Sequence, residues 1–389
     1  MRVLLVAATT GYQTRAFSAT AQKIGCELVL ATDRCHVLDD PWGDNAVALR
    51  FDEPDEGLES VVARGPFDGI AAVGDRPAYV AALAAERLGL LFSPPPAVSA
   101  ARNKFLSRQK FREAQLLTPG YELVSAVRAV RYPCVLKPLG LSGSRGVIRA
   151  NDPEEFAAAF VRVKNISAEP SVLVEDFIPG HEYALEGIVT EGRLQTLALF
   201  DKPDPLDGPF FEETIYITVP VQRAIADTAQ RAVTALGLTH GPIHAEMRVN
   251  DAGVWMLEVA ARPIGGLCSR VLRFAGGKSL EELILRHAVG ERVDETLEDG
   301  AHAVMMIPIP RAGIYVGVSG VDDARTVKGI EDVVVTAKHG QEMLPLPEGA
   351  SYLGFIFAHA ETPGLAVEAL RNAHSRLKFK FAIKLPVVK

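Results

Sequence analysis

The sequence predicts a protein of mixed α/β and α+β class, built from three consecutive parts. From Met1 to about Pro96, short apolar segments alternate with helical segments, a pattern typical of a parallel sheet covered by helices. Three consecutive prolines then interrupt this pattern, and the strands that follow are mainly antiparallel in type. A further strand and helix pattern starts after about Gly300. We therefore expect a Rossmann-like parallel-sheet domain at 1–98, a central domain of two subdomains at 99–300 and a small α+β domain at 301–389.

The charge and hydropathy of the chain restrict its partners. The formal net charge of −7, with acidic and basic residues interspersed, argues against nucleic acid and anionic membranes but allows a small phosphate-binding pocket. No stretch approaches the roughly 20 apolar residues that cross a bilayer, and the first apolar run is too short for a signal peptide. We therefore expect a cytoplasmic protein with small-molecule substrates. Its scattered cysteines are interpreted as buried thiols: Cys26, Cys35, Cys134 and Cys268.

The first turn between strand and helix, AATTGYQTR, bears on nucleotide binding. It contains one glycine, Gly11, whereas the dinucleotide fingerprint requires three for its tight turn and for close approach of the pyrophosphate. The turn therefore argues against NAD binding. We expect instead that the carboxyl ends of these strands, near Thr9, Thr10 and Asp33, form one wall of a substrate cleft.

The segment HAEMRVNDAGVWMLEVAAR, from His244 to Arg262, predicts a β-hairpin. Two alternating strands flank Asp251–Gly253, which we interpret as a three-residue loop with Gly253 in the left-handed position. This loop predicts four cross-strand pairs: Asn250 with Val254, Arg248 with Met256, Glu246 with Glu258, and His244 with Ala260. One face is then apolar, with Ala245, Met247, Val249, Trp255, Leu257 and Val259, and the other carries His244, Glu246, Arg248 and Glu258.

The predicted pairing of Glu246 with Glu258 indicates a metal site. Directly opposed carboxylates have Cβ atoms about 5 Å apart and destabilise a sheet. Their repulsion would be about 3 kcal/mol at an effective dielectric near 20. A divalent cation reverses this effect, and Mg²⁺ suits such a pair because it takes the rest of its ligands from phosphates and water. The alternative is a solvated face on which both acids point to water, offset by Arg248 or Arg262.

The segment VLKPLGLSGSRGV predicts a phosphate-binding loop. Lys137 ends a buried strand, where its charge requires a partner such as a phosphate oxygen. Gly140, Gly143 and Gly146, with serines between them, allow backbone N–H groups to approach a polyphosphate closely, and the loop is a candidate lid. The alternative is a plain flexible hairpin.

The segment VLVEDFIPGHEY suggests the nucleoside end of the same site. An apolar strand ends in Glu175 and Asp176 and then turns at Pro179 and Gly180 before Glu182. Such a strand end can offer backbone groups to an adenine edge, while an acidic side chain accepts the ribose hydroxyls. The alternative is a turn with solvated acids.

Taken in order, these segments resemble the ATP-grasp superfamily. The resemblance runs from about Lys104 to Gly266, through VLKP, GLSGSRG, EDFIPGHEY, HAEMRV and EVAARPIGG. It implies an ATP-grasp fold that binds ATP, with Mg²⁺, or Mn²⁺ as an alternative, on Glu246 and Glu258. The nucleotide-binding residues that it implies are Lys104, Lys137, Ser142, Gly143, Ser144, Glu175, Asp176, Phe177, Ile178, Glu182, Met256 and Leu257.

The end of the hairpin departs from the common family pattern. Many ATP-grasp enzymes have E-x-N-x-R at this point, whereas this chain has EVAAR, with Ala260 in place of an amide ligand. The number of metal ions is therefore left open. The EVAARPIGG form, the TTGYQTRAF segment and the GFIFAHAETP segment are similar to the branch that contains the L-amino-acid ligases.

This resemblance implies an ATP-dependent carboxylate-amine ligase that forms an amide through an acyl phosphate and releases ADP and phosphate. It implies an amino acid substrate, a homodimer, and catalytic roles for Arg262, Lys137 and His244. The substrate contacts that it implies are Lys202, Glu213, Gly265 and Gly266. Two alternatives are another ligase of the superfamily, such as one resembling phosphoribosylglycinamide synthetase, and a non-catalytic nucleotide-binding protein.

Overall fold

The computed structural model describes residues 1–8, 12–33, 45–167, 169–203, 214–349 and 351–383. Thr9, Thr10, Cys35 and Glu213 lie outside these ranges, so the expectations for them are not addressed by the structure. The described chain contains no helix that is both long enough and apolar enough to cross a membrane.

The N-terminal part is a parallel sheet covered by helices, as the alternating pattern predicted. Its strands are β1 (Arg2–Ala7), β2 (Glu27–Thr32), β3 (Ala46–Ala48) and β4 (Gly69–Val73), in the order β3-β2-β1-β4. The helices are α1 (Tyr12–Lys23), α2 (Pro54–Ala63) and α3 (Asp75–Leu88). Strands β1 and β4 are buried almost throughout, which is typical of a parallel sheet with both faces covered. The carboxyl end of β4 leads directly to Asp75.

The proline run lies at the start of a helix. Helix α4 (Pro95–Arg102) has proline in its first turn, where no backbone N–H is required. A separate helix, α5 (Lys104–Glu113), follows, and the Asn103 side chain caps it by accepting from Phe105 N and Leu106 N. The boundary expected after residue 98 therefore falls inside α4.

A small antiparallel sheet follows, with strand order β5-β8-β6-β7. It contains β5 (Tyr121–Val124), β6 (Cys134–Lys137), β7 (Ile148–Ala150) and β8 (Val172–Asp176), and α6 (Pro153–Ile166) packs on it. Asp152 caps α6, since its carboxylate accepts from the backbone N–H groups of Glu154 and Glu155 at 2.9 Å. The loop after β6 carries the predicted glycines.

The largest element is an eight-stranded sheet in the order β13-β12-β9-β10-β11-β16-β20-β18. Its strands are β9 (His181–Thr190), β10 (Arg193–Lys202), β11 (Ile215–Val219), β12 (His240–Asn250), β13 (Gly253–Ala260), β16 (Ala301–Ile307), β18 (Ile330–Val335) and β20 (Gly354–Ala360). A tight turn joins β9 and β10, with Glu191 and Gly192 at φ of 51° and 78°. Three strands of the C-terminal part thus extend the central sheet.

The remaining elements cover this sheet or form smaller pieces beside it. The helices are α7 (Arg223–Leu236), a short 3-10 helix (Cys268–Val271), α8 (Leu280–Ala288), α9 (Val321–Arg325) and α10 (Pro363–Arg376). The short strands are β14 (Arg273–Phe274), β15 (Lys278–Ser279), β17 (Gly313–Ser319), β19 (Glu342–Met343) and β21 (Lys378–Ala382). Cys26, Cys134 and Cys268 are buried thiols, as expected.

Both faces of the eight-stranded sheet are packed. In β9, Leu185 and Val189 belong to one apolar cluster, together with α3, α4 and α7. Ala184 and Ile188 point to the other face, where they pack with residues of β1 and α8. The second face also carries the polar side chains described next.

Candidate active site

A cavity of about 340 Å³ lies where the N-terminal sheet, the small sheet and the large sheet meet. Most of the predicted site residues line it: Lys104, Lys137, Ser142, Gly143, Ser144, Glu175, Asp176, Phe177, Ile178, Glu182, His244, Glu246, Leu257, Glu258, Arg262, Gly265 and Gly266. The N-terminal part contributes a wall as expected, but through Gln13, Gly74 and Asp75. Asp33 is exposed and is not part of that wall.

The hairpin brings Glu246 opposite Glu258 and His244 opposite Ala260, as predicted. The predicted three-residue loop is wrong, however, because Asn250 pairs with Gly253. The loop has two residues, and a β-bulge beyond Met247 restores the register. One residue removed from the loop is thus compensated by one extra residue in β13.

Between the hairpin loop and the bulge, the side chains of β13 lie on the face of the sheet opposite to the one predicted. Trp255 pairs with Arg248, and Met256 pairs with Met247. Met256 is fully buried and does not line the cavity, which contradicts its predicted nucleotide contact. Leu257, which alternation placed on the apolar face, lines the cavity beside Glu258.

Each of the two glutamates has a lysine partner, contrary to the unopposed repulsion that the sequence suggested. Lys202 Nζ lies 2.8 Å from Glu246 Oε1, and Lys104 Nζ lies 3.1 Å from Glu258 Oε2. Burial alone would raise the pKa of Glu246, but Lys202 and His244 hold it well below its usual range. Glu246 is therefore anionic at neutral pH. The side chains of Glu246 and Glu258 remain 25% and 20% exposed.

Lys202 does not line the cavity, which argues against the direct substrate contact predicted for it. It is buried behind Glu182 and Glu246 and donates hydrogen bonds to both carboxylates, at 3.0 and 2.8 Å. Arg248 Nε approaches the other oxygen of Glu182 at 2.9 Å, and its Nη1 donates to the Ile178 carbonyl. Cross-strand ion pairs therefore fix the orientation of Glu182 and Glu246.

Lys137 forms a buried ion pair with Glu175, at 2.7 Å between Nζ and Oε2. Arg108, fully buried on α5, lies 2.7 Å from the other oxygen of Glu175. Burial lowers the pKa of the Lys137 ammonium, although Glu175 opposes this effect. Burial alone would raise the pKa of Glu175, but Arg108 and Lys137 lower it. Arg108 and Lys137 together carry one more charge than Glu175 neutralises. This leaves a net positive charge behind the loop at residues 140–146, called the glycine loop below.

The loop after β13 is anchored from three sides. Arg262 donates through Nε to Asp75 at 3.1 Å and through Nη1 to the Pro263 carbonyl at 3.1 Å. Ile264 N donates to Glu186 Oε2 at 3.0 Å, and Gln13 Nε2 donates to the Ile264 carbonyl at 2.9 Å. Both α1 and the start of α3 thus hold this loop against the cavity.

His244 is held between two carboxylates. Its Nδ1 donates to Glu186, and its Nε2 lies 3.4 Å from Glu246 Oε1. Burial alone would lower the pKa of His244, but Glu186 and Glu246 raise it to about 9. The imidazole is therefore a cation at neutral pH and is not available as a general base.

Sequence reasoning missed Asp75, Glu186 and Gln13 as parts of the site. Glu186 was detectable as an acid inside the apolar strand EYALEGIV, since a buried carboxylate requires partners. Asp75 was detectable at the carboxyl end of a parallel strand, the usual edge for ligands in such sheets. No signal pointed to Gln13, because its contact depends on how α1 docks.

Two protein-family models match the chain. The one described as ATP-grasp domain matches residues 130–271. The one described as L-amino acid ligase C-terminal domain 2 matches residues 305–382. Residues 130–271 therefore form an ATP-grasp domain. This match covers the glycine loop, the hairpin and the Arg262 loop, and the second match covers most of the C-terminal part.

Curated relatives of the chain include ligases. It is 28% identical over 276 residues to an alanine–anticapsin ligase of Bacillus subtilis, covering 60% of this chain and 57% of the relative. It is 26% identical over 302 residues to an uncharacterised protein of Sinorhizobium fredii, covering 72% of this chain and 61% of the relative. The chain thus spans about three fifths of the length of these relatives.

Solved structures confirm the predicted ATP-grasp fold. The L-amino acid ligase from Bacillus licheniformis superposes with a TM-score of 0.85 at 23% identity, over 98% of both chains. Phosphoribosylglycinamide synthetase from Anaerococcus prevotii gives a TM-score of 0.70 at 16% identity, over 98% of this chain and 99% of that chain.

Proposed function

We propose that this protein is an ADP-forming ligase that activates a carboxylate with ATP and joins it to an amine, with an amino acid as one substrate. The observation that carries this proposal is the convergence on one cavity of Lys104, Lys137, Glu246, Glu258 and Arg262. Each of these charged groups is held by a fixed ion pair, so the cavity is preorganised for a phosphoryl group and its counter-ions.

The phosphates of ATP would lie between the glycine loop and the lysines. Ser142, Gly143 and Ser144 line this part of the cavity and would offer backbone N–H groups to the phosphates, and Lys104 and Lys137 would supply positive charge. The nucleoside would lie toward Phe177 and Ile178, and Glu182 would accept the ribose hydroxyls. Lys202 and Arg248 hold the Glu182 carboxylate in place for that contact.

The chemistry of Glu246 and Glu258 fits Mg²⁺. They are directly opposed carboxylates that face the cavity, and Mg²⁺ usually takes one or two such oxygens together with phosphates and water. Among the residues that the structure describes, no three His, Cys, Asp or Glu side chains are grouped as a larger protein cage would require. When bound, Mg²⁺ would supply positive charge to the β- and γ-phosphoryl oxygens. Mn²⁺ prefers similar oxygen ligands and is an alternative.

In the first step, a substrate carboxylate oxygen attacks the γ-phosphorus of ATP. A new O–P bond forms, the bond from that phosphorus to the β,γ-bridging oxygen breaks, and ADP leaves. Arg262 would stabilise the charge on the transferring phosphoryl group, because Asp75 fixes the plane of its guanidinium. Lys137 would stabilise the negative charge that develops on the departing oxygen of ADP.

In the second step, the amine nitrogen attacks the carbonyl carbon of the acyl phosphate. The C–N bond forms, the C–O bond to the phosphate breaks, and the departing phosphate takes the proton that the amine loses. The backbone at Gly265 and Gly266 lines the cavity near Arg262 and would lie beside this carbon. His244, as a buried imidazolium, would add positive charge near the negative intermediate.

The resemblance to the L-amino-acid ligases supports two further parts of the proposal, the oligomeric state and the location in the cell. A homodimer is expected by analogy with the family, and sedimentation of the purified protein would test it. A cytoplasmic location fits a consumer of ATP and amino acids.

A hydroxylamine trap tests the proposed reaction. The twenty L-amino acids are incubated singly and in pairs with MgATP, and ADP, phosphate and condensation products are measured by mass spectrometry. Hydroxylamine in place of the amine should give a hydroxamate only when the correct acid and MgATP are both present. Release of AMP and pyrophosphate, or amide formation without ATP consumption, would contradict the proposal. Activity only with a phosphorylated amine would favour the alternative of a phosphoribosylglycinamide synthetase-like ligase.

A further inference from the structure

A second cavity of about 240 Å³ lies between the glycine loop and the C-terminal part of the chain. Ser142 and Gly143 of the loop, together with Ser351 and Tyr352, border both cavities. The second cavity therefore adjoins the site of the proposed chemistry.

Arg145 faces this second cavity and does not line the first. Ser144 shows the opposite behaviour, since it lines the main cavity and not the second. The loop thus points these adjacent side chains to opposite sides. Docking of the loop fixes this arrangement, because Gly146 N donates to the Pro347 carbonyl at 2.9 Å.

Among the residues that the structure describes, Arg145 differs from the other cations around the site in its charge partners. Lys104, Lys137, Lys202 and Arg262 each form an ion pair. Within the described ranges, Arg145 forms no ion pair, and its buried Nε has no hydrogen-bond partner. A buried guanidinium nitrogen without a partner is costly, so an anionic group is the expected occupant of this cavity.

We propose that Arg145 binds the carboxylate of the amine substrate, which makes that substrate an amino acid that bonds through its amino group. This inference rests on the proposed ligase function. A guanidinium recognises a carboxylate through two parallel hydrogen bonds, and the Ser142 and Ser351 side chains border the same space. Ile309 and Leu346 supply an apolar wall against which an uncharged side chain packs. The amino group of the bound substrate would then lie on the side of the second cavity that adjoins the main cavity, next to Ser142 and Gly143.

The test separates the two half-reactions in the full-length protein. Hydroxylamine has no carboxylate, so hydroxamate formation reports only on activation of the acid by MgATP. Each L-amino acid is then assayed as the amine, next to its carboxamide, which lacks the charge that Arg145 would bind. Arg145→Gln is compared with Arg145→Lys and with Arg223→Gln, a matched change at a 93% exposed position on α7.

For Arg145→Gln we expect the KM of the amino acid amine to rise about 10- to 100-fold, with hydroxamate formation and the KM of ATP unchanged. The wild-type preference for the amino acid over its carboxamide should disappear. Arg145→Lys should restore part of the affinity, and Arg223→Gln should behave as wild type.

Three outcomes would overturn the inference. One is an equal loss of hydroxamate formation, which would place Arg145 in the activation of the acid. The second is an unchanged KM for the amino acid, and the third is a wild-type protein that uses no amino acid as the amine. Absence of hydroxamate with every acid would instead contradict the proposed ligase function itself.

Discussion

At the scale of single residues, the site is organised by buried ion pairs that cross between strands. The sequence predicted Glu246 opposite Glu258 but did not predict Lys202 and Lys104 as their partners. It also missed the contact of Asp75 with Arg262, which joins residues 187 positions apart. Alternation along a hairpin identifies which side chains share a face, whereas these partners come from elements that only the tertiary fold brings together.

We predict that Glu258→Gln lowers MgATP-dependent turnover about 10²- to 10³-fold, because one charged ligand for the metal is lost. The fold should persist, since glutamine has the same shape and its amide oxygen can still accept from Lys104. ADP release measures the loss, and circular dichroism measures the fold.

Glu368→Gln, on the exposed face of α10, is the matched control and should behave as wild type. Near-normal activity of Glu258→Gln at millimolar Mg²⁺ would show that Glu258 is not a metal ligand.

At the scale of elements, the positions of most helices and strands could be predicted from the sequence. Caps such as Asp152 and turns such as Glu191–Gly192 have local signals in the sequence. The bulge in β13 had no such signal, because an extra residue in a strand depends on contacts with its neighbours. In this case Leu117 accepts from Met256 N, and Thr118 donates to the Met256 carbonyl, on the outer edge of the strand.

A hydrogen bond connects the glycine loop to the C-terminal part of the chain, and from it we predict a pattern of hydrogen exchange. Gly146 N donates to the Pro347 carbonyl, and the adjacent Glu348 forms a two-point ion pair with Arg162 on α6. We expect the Gly146 amide to be protected without nucleotide, and MgATP to slow exchange at Gly143 and Ser144. Glu348→Gln should speed exchange at Gly146.

Mass spectrometry of deuterium uptake, with Glu361→Gln as an exposed control, provides the measurement. Unchanged uptake at Gly143 and Ser144 under saturating MgATP would contradict phosphate binding by the loop. Unchanged deuterium uptake at Gly146 in Glu348→Gln would show that the ion pair between Arg162 and Glu348 does not stabilise the hydrogen bond of the Gly146 amide.

At the scale of the whole molecule, the three-part organisation was predicted, but the way the parts join was not. The C-terminal strands β16, β20 and β18 continue the central sheet, and α8 packs between that sheet and the N-terminal one. Local patterns define strands but carry little information on the order in which distant strands pair. The family resemblance supplied the fold where local patterns could not.

The stability of the whole molecule should depend on pH through His287 on α8. This buried imidazole stacks on His240 at 3.9 Å and contacts Thr190 through Nε2 at 2.8 Å. Burial, and secondarily His240, lowers the pKa of His287 from its ordinary value of 6.5 to about 3. Between these values the unfolded chain binds the extra proton, so the free energy of unfolding falls as the pH falls.

His287→Gln should reduce the slope of that pH dependence by about 1 kcal/mol per pH unit between pH 6 and 4. Urea denaturation at several pH values measures the slope, and His339→Gln at an exposed position is the control. An unchanged slope in His287→Gln would mean that this imidazole is already protonated in the fold.

The contact of Asp75 with Arg262 has a consequence for binding entropy. A free arginine side chain samples many rotamers, and ordering it costs about 2 kcal/mol. Asp75 and the Pro263 carbonyl engage all three guanidinium nitrogens, so the chain loses this freedom once, when it folds. When a phosphoryl group binds, Arg262 is therefore already ordered. The free energy of binding does not include the entropy cost of ordering this side chain.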